Sequence, residues 1–301
     1  MNAVSFCGLD LAHPIVNGSG TFDAIAARRA FGDALLDDFP FSAFVSKTIT
    51  LEPRDGNPPP RLFETPGGMI NSIGLPNKGL RGYLEHDLPE LARLPVPLVT
   101  NVMGSTAAQI AALVEAVDAR PEIDAIELNV SCPNVKTGLD IGADPVGLES
   151  VIEQVRPLTG KPLIVKLTPN ASDVPAAAQA AEAAGADAVS LVNTLRAFAP
   201  HPRDAGRPWL GGSTGGMSGP AVRAVALAQV RAVTQRVAIP VVGMGGVQTG
   251  RHAAQFIAAG ATVVAVGTES FRDPAAATRI RRELHDLFAK SGDIVSSRRN
   301  I

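Results

Sequence analysis

Eight short apolar runs recur along this 301-residue chain, and they constrain its fold more than any other feature. They are PIVNGSG (14–20), FSAFVSKTIT (41–50), PLVTNVMGS (97–105), DAIELNVSCP (124–133), PLIVKLTPN (162–170), DAVSLVNT (187–194), PVVGMGG (240–246) and TVVAVGTES (262–270). Near-continuous Val, Ile and Leu mark strands buried on both faces, which is the condition of a parallel sheet covered by crossover helices. Ala-rich stretches of helical pattern are predicted over about 106–119, 173–184 and 249–259. The segments AAGADAVSLVNT (183–194) and AAGATVVAVGTE (258–269) echo one another. In each, a Gly closes a helix and a strand begins two or three residues later. Eight such units predict an α/β chain folded as one (β/α)8 TIM barrel over residues 1–301, with a frayed tail from about 286. A doubly wound open sheet is the alternative, but the first strand–helix turn lacks the Gly-rich dinucleotide fingerprint.

Two stretches exceed a minimal barrel. Residues 51–96 and 195–219 are long, and the first is rich in Pro and Gly. Both follow strands, the second and the sixth, which places extended loops at the C-terminal face where barrel enzymes keep their active sites. Polar residues also end strand after strand: Ser19, Lys47, Thr48, Asn101, Asn129, Lys166, Asn193 and Thr194. One Asn after a strand is an ordinary turn residue. Two Lys and three Asn at five separate exits instead point to a polar ligand site at the barrel mouth. Gly245, Gly246, Gly267 and Thr268 end the last two strands, where backbone N–H groups of a barrel bind phosphate, although glycines there also serve tight turns. TGGMSGP (214–220) offers a further glycine-rich approach to a flat ligand.

Lys166 sits in the otherwise apolar IVKL, so pointing inward it needs an anionic partner, while pointing outward it would snorkel to water. A flavin, anionic when reduced, would supply that partner. Cys132 follows the fourth strand in a Gly-rich loop, as a strand-exit thiol suited to a general base or nucleophile. Cys7 is predicted to be a buried bystander in an N-terminal strand. Two cysteines exclude a disulfide scaffold and leave no set for an iron–sulfur cluster, and five scattered His show no metal-ligand spacing. A net charge of −2, no membrane-length apolar run and no basic leader predict a cytoplasmic chain that binds neither nucleic acid nor membrane.

Taken together, SKTITLEPRDGNPPPR, GGMINSIGLPNKG, NVSCPNVKTG, VKLTPN, LVNT, TGGMSGP, GMGGV and AVGT resemble the dihydroorotate dehydrogenases, from about residue 4 to about 285, with class 1B catalytic subunits as the best match. The resemblance implies an FMN-containing barrel, one FMN per chain, that oxidises dihydroorotate to orotate in pyrimidine biosynthesis. It implies FMN contacts at Ser19, Lys47, Thr48, Asn101, Asn129, Lys166, Val192, Gly219, Gly245, Gly246, Gly267 and Thr268. Substrate contacts are implied at Lys47, at Asn71, Ser72, Ile73, Gly74 and Leu75, and at Asn129, Asn193 and Thr194, with Cys132 as the base. Class 1B further implies a homodimer core in a heterotetramer, with FAD and a [2Fe–2S] cluster on a partner subunit that passes electrons to NAD+. A class 1A enzyme using fumarate, a flavin dehydrogenase of other dihydropyrimidines, and a flavin-free phosphosugar isomerase or aldolase are the alternatives. Residues 198–213 depart from the family pattern.

Overall fold

The computed structural model describes residues 3–130 and 141–298. Eight parallel strands line one barrel: β1 (Ile15–Asn17), β2 (Phe44–Val45), β3 (Leu98–Val102), β4 (Ala125–Asn129), β5 (Leu163–Lys166), β6 (Ala188–Leu191), β7 (Val241–Met244) and β8 (Val263–Val266). From β2 to β8 each strand pairs with its sequence neighbours, and β8 returns to pair with β1. The strands are shorter than the apolar runs, because the polar ends of those runs leave the sheet to shape the mouth.

The ring closes at a seam between β1 and β2, which are not ladder partners. Ser42 N–H donates to the Ile15 carbonyl across it at 3.0 Å. The buried Asn17 side chain then acts as a substitute for a neighbouring backbone: its Oδ1 accepts from Val45 N–H and its Nδ2 donates to Val45 C=O, both at 2.8 Å. This pairing satisfies two buried backbone groups that would otherwise go without partners.

Side chains alternate along every strand. One parity, including Ile126, Leu128, Val165, Val189 and Val264, packs outward against the helices. The other, including Val16, Val45, Val99, Ala125, Ile164, Ala188 and Val263, fills the barrel interior. A hairpin of Val4–Phe6 and Leu9–Leu11 plugs the N-terminal opening with Phe6 and Leu11. Cys7 is therefore not in a strand: it takes φ 50° beside Gly8 at φ 80°, the two-residue turn that suits the twist of a hairpin. Burial pushes its thiol up to about 12.

Loops leaving the strands end in helix caps. Thr106, Asp173 and Thr249 accept from the N–H groups of Gln109, Ala176 and His252, at 3.2, 2.9 and 3.3 Å. They start α1 (Ala107–Asp118), α2 (Val174–Ala183) and α3 (Gly250–Ala258). The last helix, Ala276–Arg298, runs past residue 286, where the sequence suggests fraying. That run contains no Pro and a single Gly, so nothing in it breaks the helix earlier.

The two insertions turn out to be one structure. Gly68–Asn71 and Leu62–Thr65 from the first pair antiparallel, and Thr214–Ser218 and Leu195–Phe198 from the second extend them into a four-stranded sheet. Within the divergent 198–213 stretch, Pro200–His201 pairs with Asp204–Pro208 and the Trp209 ring lies 5.5 Å from that of His201. Leu210 and Ala199 pack on Ile70, so this stretch rides on the same sheet. No helix among the described residues is long and apolar enough to cross a membrane.

Candidate active site

Toward the C-terminal ends of the strands, the inward parity changes from apolar to polar. Asn101 on β3, Glu127 and Asn129 on β4, Lys166 on β5 and Ser190 on β6 are all buried there. The register sets Asn101 beside Glu127, Asn129 beside Lys166 and Lys166 beside Ser190. Asn101 Nδ2 donates to Glu127 Oε1 at 2.5 Å, and Ser190 Oγ donates to Oε2 at 2.7 Å. Lys166 Nζ lies 3.9 Å from the same Oε1. A buried ammonium or carboxylate alone is costly, and here each offsets the other.

Lys166 thus points inward, and the anion that meets it in this structure is Glu127, within the chain. Sequence reasoning missed Glu127, although a signal was present. In AIELN it lies two residues before Asn129, so it shares the inward face.

Donation to Glu127 also fixes which way the Asn101 amide points. Its Oδ1 is left buried with no hydrogen-bond partner among the described residues. Such an acceptor fits a ligand that brings an N–H into the barrel mouth, as the ring system of a flavin does.

The rest of the polar set is contiguous with this layer. Ser19 Oγ donates to the Ser46 carbonyl at 2.7 Å and lies 3.3 Å from Thr48 Oγ1. Asn129 Nδ2 donates to Thr48 Oγ1 at 3.4 Å. Lys47 crosses over Gly20, where a Cβ would stand 2.9 Å from its Cδ.

Glycine contacts join the loops around the opposite side of the mouth. A Cβ on Gly246 (φ 69°) would stand 2.6 Å from the Gly219 carbonyl oxygen, and one on Gly219 (φ 95°) would stand 2.8 Å from Gly68 Cα. The β7 loop and both insertions therefore touch backbone to backbone. A Cβ on Gly245 (φ 136°) would meet Ala226 at 2.6 Å. Gly267 differs: a Cβ there would meet only Thr21 Cγ2, at 3.6 Å, an ordinary contact that leaves room beside Thr268. Arg223, which the sequence reading passed over, adds a cation here. It donates to the Gly246 carbonyl at 3.0 Å and lies 3.1 Å from His252 Nδ1. Burial, then the Arg223 charge, holds His252 below its ordinary pKa. Glycine-lined backbone, a hydroxyl and a guanidinium together suit a phosphate.

The implied substrate segment begins at Asn71, the last residue of an insertion-sheet strand, and continues as loop. Asn71 Nδ2 donates to the Gly216 carbonyl at 3.2 Å. The Ser72 hydroxyl faces Asn57, whose Nδ2 donates to it at 3.0 Å, and Asn57 N–H donates to the Ile73 carbonyl at 3.0 Å. Those contacts hold the stretch through Gly74 and Leu75 in place. Thr194 abuts Gly216, where a Cβ would overlap its Oγ1. Asn193 Oδ1 accepts from Thr194 N–H at 2.9 Å, and Val192 N–H ties β6 to β7 through the Met244 carbonyl at 3.0 Å. Cys132 lies outside the described residues.

A cleft of about 1070 Å³ opens alongside, lined by Phe22, Asn77, Lys78 and Phe271 among others, and adjoins the residues above at Gly20, Thr21, Ser46 and Lys47. Among the described residues, no three His, Cys, Asp or Glu are grouped to hold a metal ion.

A family model described as dihydroorotate dehydrogenase matches residues 1–288. The chain is 43% identical over 291 residues to the dihydroorotate dehydrogenase B (NAD(+)) catalytic subunit of Geotalea daltonii, covering 96% of this chain and 94% of that one. To the protein of the same description from Desulforudis audaxviator it is 44% identical over 294 residues, with 96% and 93% covered. To that of Geobacter sulfurreducens it is 43% identical over 294 residues, with 96% and 94% covered.

Proposed function

Because this chain belongs to the dihydroorotate dehydrogenase family, we propose that it oxidises dihydroorotate to orotate in pyrimidine biosynthesis, with one FMN held in the barrel mouth. The observation that carries this reading is Asn101 Oδ1, a buried acceptor without a partner among the described residues, set in a charged polar layer.

Ser19, Lys47, Thr48, Asn101, Asn129, Lys166 and Val192 would border the flavin ring, and Gly219, Gly245, Gly246, Gly267 and Thr268 its phosphate. When bound, FMN supplies the acceptor for the hydride that leaves C6 of the substrate. Lys47 offers positive charge to the substrate carboxylate. Asn71, Asn129 and Asn193 offer the amide donors and acceptors that a planar imide ring requires, and Ser72 to Leu75 with Thr194 complete the pocket. Cys132 takes the C5 proton. A thiol with an ordinary pKa of roughly 8.5 performs that step best in mildly alkaline solution.

The curated relatives are described as catalytic subunits of an NAD(+) enzyme. Electrons then pass to NAD+ through a partner subunit carrying FAD and a [2Fe–2S] cluster, docked on a homodimer of this chain. With only two cysteines, this chain has too few to ligate that cluster itself. Two assays test the reading. Acid release from the purified yellow protein should yield FMN, and turnover with an artificial dye should occur with dihydroorotate and not with dihydrouracil. A colourless chain, or one that prefers dihydrouracil, overturns it.

A further inference from the structure

We propose that Glu127 is a positioning residue that sets how strongly this site favours reduced over oxidised flavin, by neutralising Lys166 from inside the barrel. The inference rests on the FMN reading above. Three strands aim their polar side chains at this one carboxylate: Asn101 from β3, Ser190 from β6 and Lys166 from β5. No water-exposed surface explains it, since Glu127 is 3% and Lys166 6% exposed.

At a buried site the Lys166 field is weakly screened, so it would stabilise a reduced, anionic flavin strongly. A carboxylate 3.9 Å from Nζ cancels part of that field. The same carboxylate orients Asn101 through Nδ2, which leaves Oδ1 as an acceptor without a partner among the described residues. Glu127 therefore acts on two of the groups assigned to the flavin, on Lys166 through charge and on Asn101 through a hydrogen bond.

Glu127→Gln keeps the shape and leaves an oxygen to accept from Asn101 and an amide to pair with Ser190, while removing the charge. The FMN potential of holo E127Q, measured against reference dyes, should rise. The ratio of affinities for reduced and oxidised flavin should increase at least tenfold, equivalent to about +30 mV for a two-electron couple. Sulfite should bind the E127Q flavin correspondingly more tightly. In the double variant E127Q with Lys166→Gln, the ratio should return toward the wild-type value. If E127Q does not hold FMN, Glu127→Asp tests the same point, because a shorter carboxylate draws back from Nζ and should shift the ratio in the same direction by a smaller factor.

A purely structural Glu127 would lower the melting temperature and FMN affinity while leaving the potential in place. A ratio within twofold of wild type in holo E127Q, or in E127D where only that variant holds FMN, overturns the proposal. Wild-type protein that binds no FMN instead overturns the functional reading, so the two failures are distinct.

Discussion

Replacing Asn17 by Leu tests how the barrel closes. The change conserves volume approximately and removes both 2.8 Å hydrogen bonds across the β1–β2 seam. Val45 N–H and C=O are then left unpaired at a position only 7% exposed. Each unsatisfied buried group costs about 1–3 kcal/mol, partly offset by the extra apolar burial of Leu, so a net loss of about 3 kcal/mol is expected. An unfolding entropy of about 2.1 cal/mol/K per residue gives about 0.6 kcal/mol/K for a chain of this length, so that loss lowers Tm by about 5 °C. The seam also positions Ser19, a proposed FMN contact: two residues beyond Asn17, it bonds across to the Ser46 carbonyl. N17L should therefore weaken FMN binding as well, while the flavin that remains bound is still reduced by substrate. Differential scanning calorimetry of the apo and FMN-saturated protein reads both effects. An apo Tm within 1 °C of wild type would show that the Asn17 bridge does not hold the seam.

Three further outcomes are expected. Cys132→Ala should retain FMN yet lose at least about 100-fold in the rate of flavin reduction by dihydroorotate, read by stopped flow. Normal reduction would remove Cys132 from the reaction. Gly267→Ala should leave apo Tm unchanged while lowering FMN affinity at least about tenfold, because its Cβ would meet only Thr21 within the chain and would enter the proposed phosphate cradle, whereas Gly246→Ala should lower Tm itself through its 2.6 Å approach to the Gly219 carbonyl. The reverse pattern would place the cradle elsewhere. His13 accepts from Ile15 N–H at 3.3 Å, and burial, then the Arg281 charge, lowers its pKa to about 4 from 6.5. The unfolded chain protonates first, so this contribution to stability is lost as pH falls from about 6.5 to about 4. Urea titrations across that range should show a smaller slope with pH in His13→Gln.

Much of this architecture is legible in the chain because it depends on local pattern. Continuous Val, Ile and Leu locate the eight strands, and their polar ends locate the mouth. What escapes depends on pairing between distant segments. Nothing local says that Gly68–Asn71 will add to Thr214–Ser218, since that register is set only when the barrel brings the two insertions together. The Asn17 bridge escapes for the same reason: an Asn before Gly reads as a turn residue until β2 lies beside it. Glu127 is a different case. Its inward parity was readable, but a lone acid between Ile and Leu carries no chemical motif until Lys166, Asn101 and Ser190 converge on it.

Anaerobic titration of the purified, FMN-loaded chain with dihydroorotate tests the proposed activity most directly. The flavin absorbance near 450 nm should bleach, with one orotate formed per flavin. NAD+ alone should then restore the colour slowly, if at all, since the NAD+-reactive centre is assigned to the partner subunit. A flavin that stays oxidised in excess dihydroorotate would contradict the proposed function.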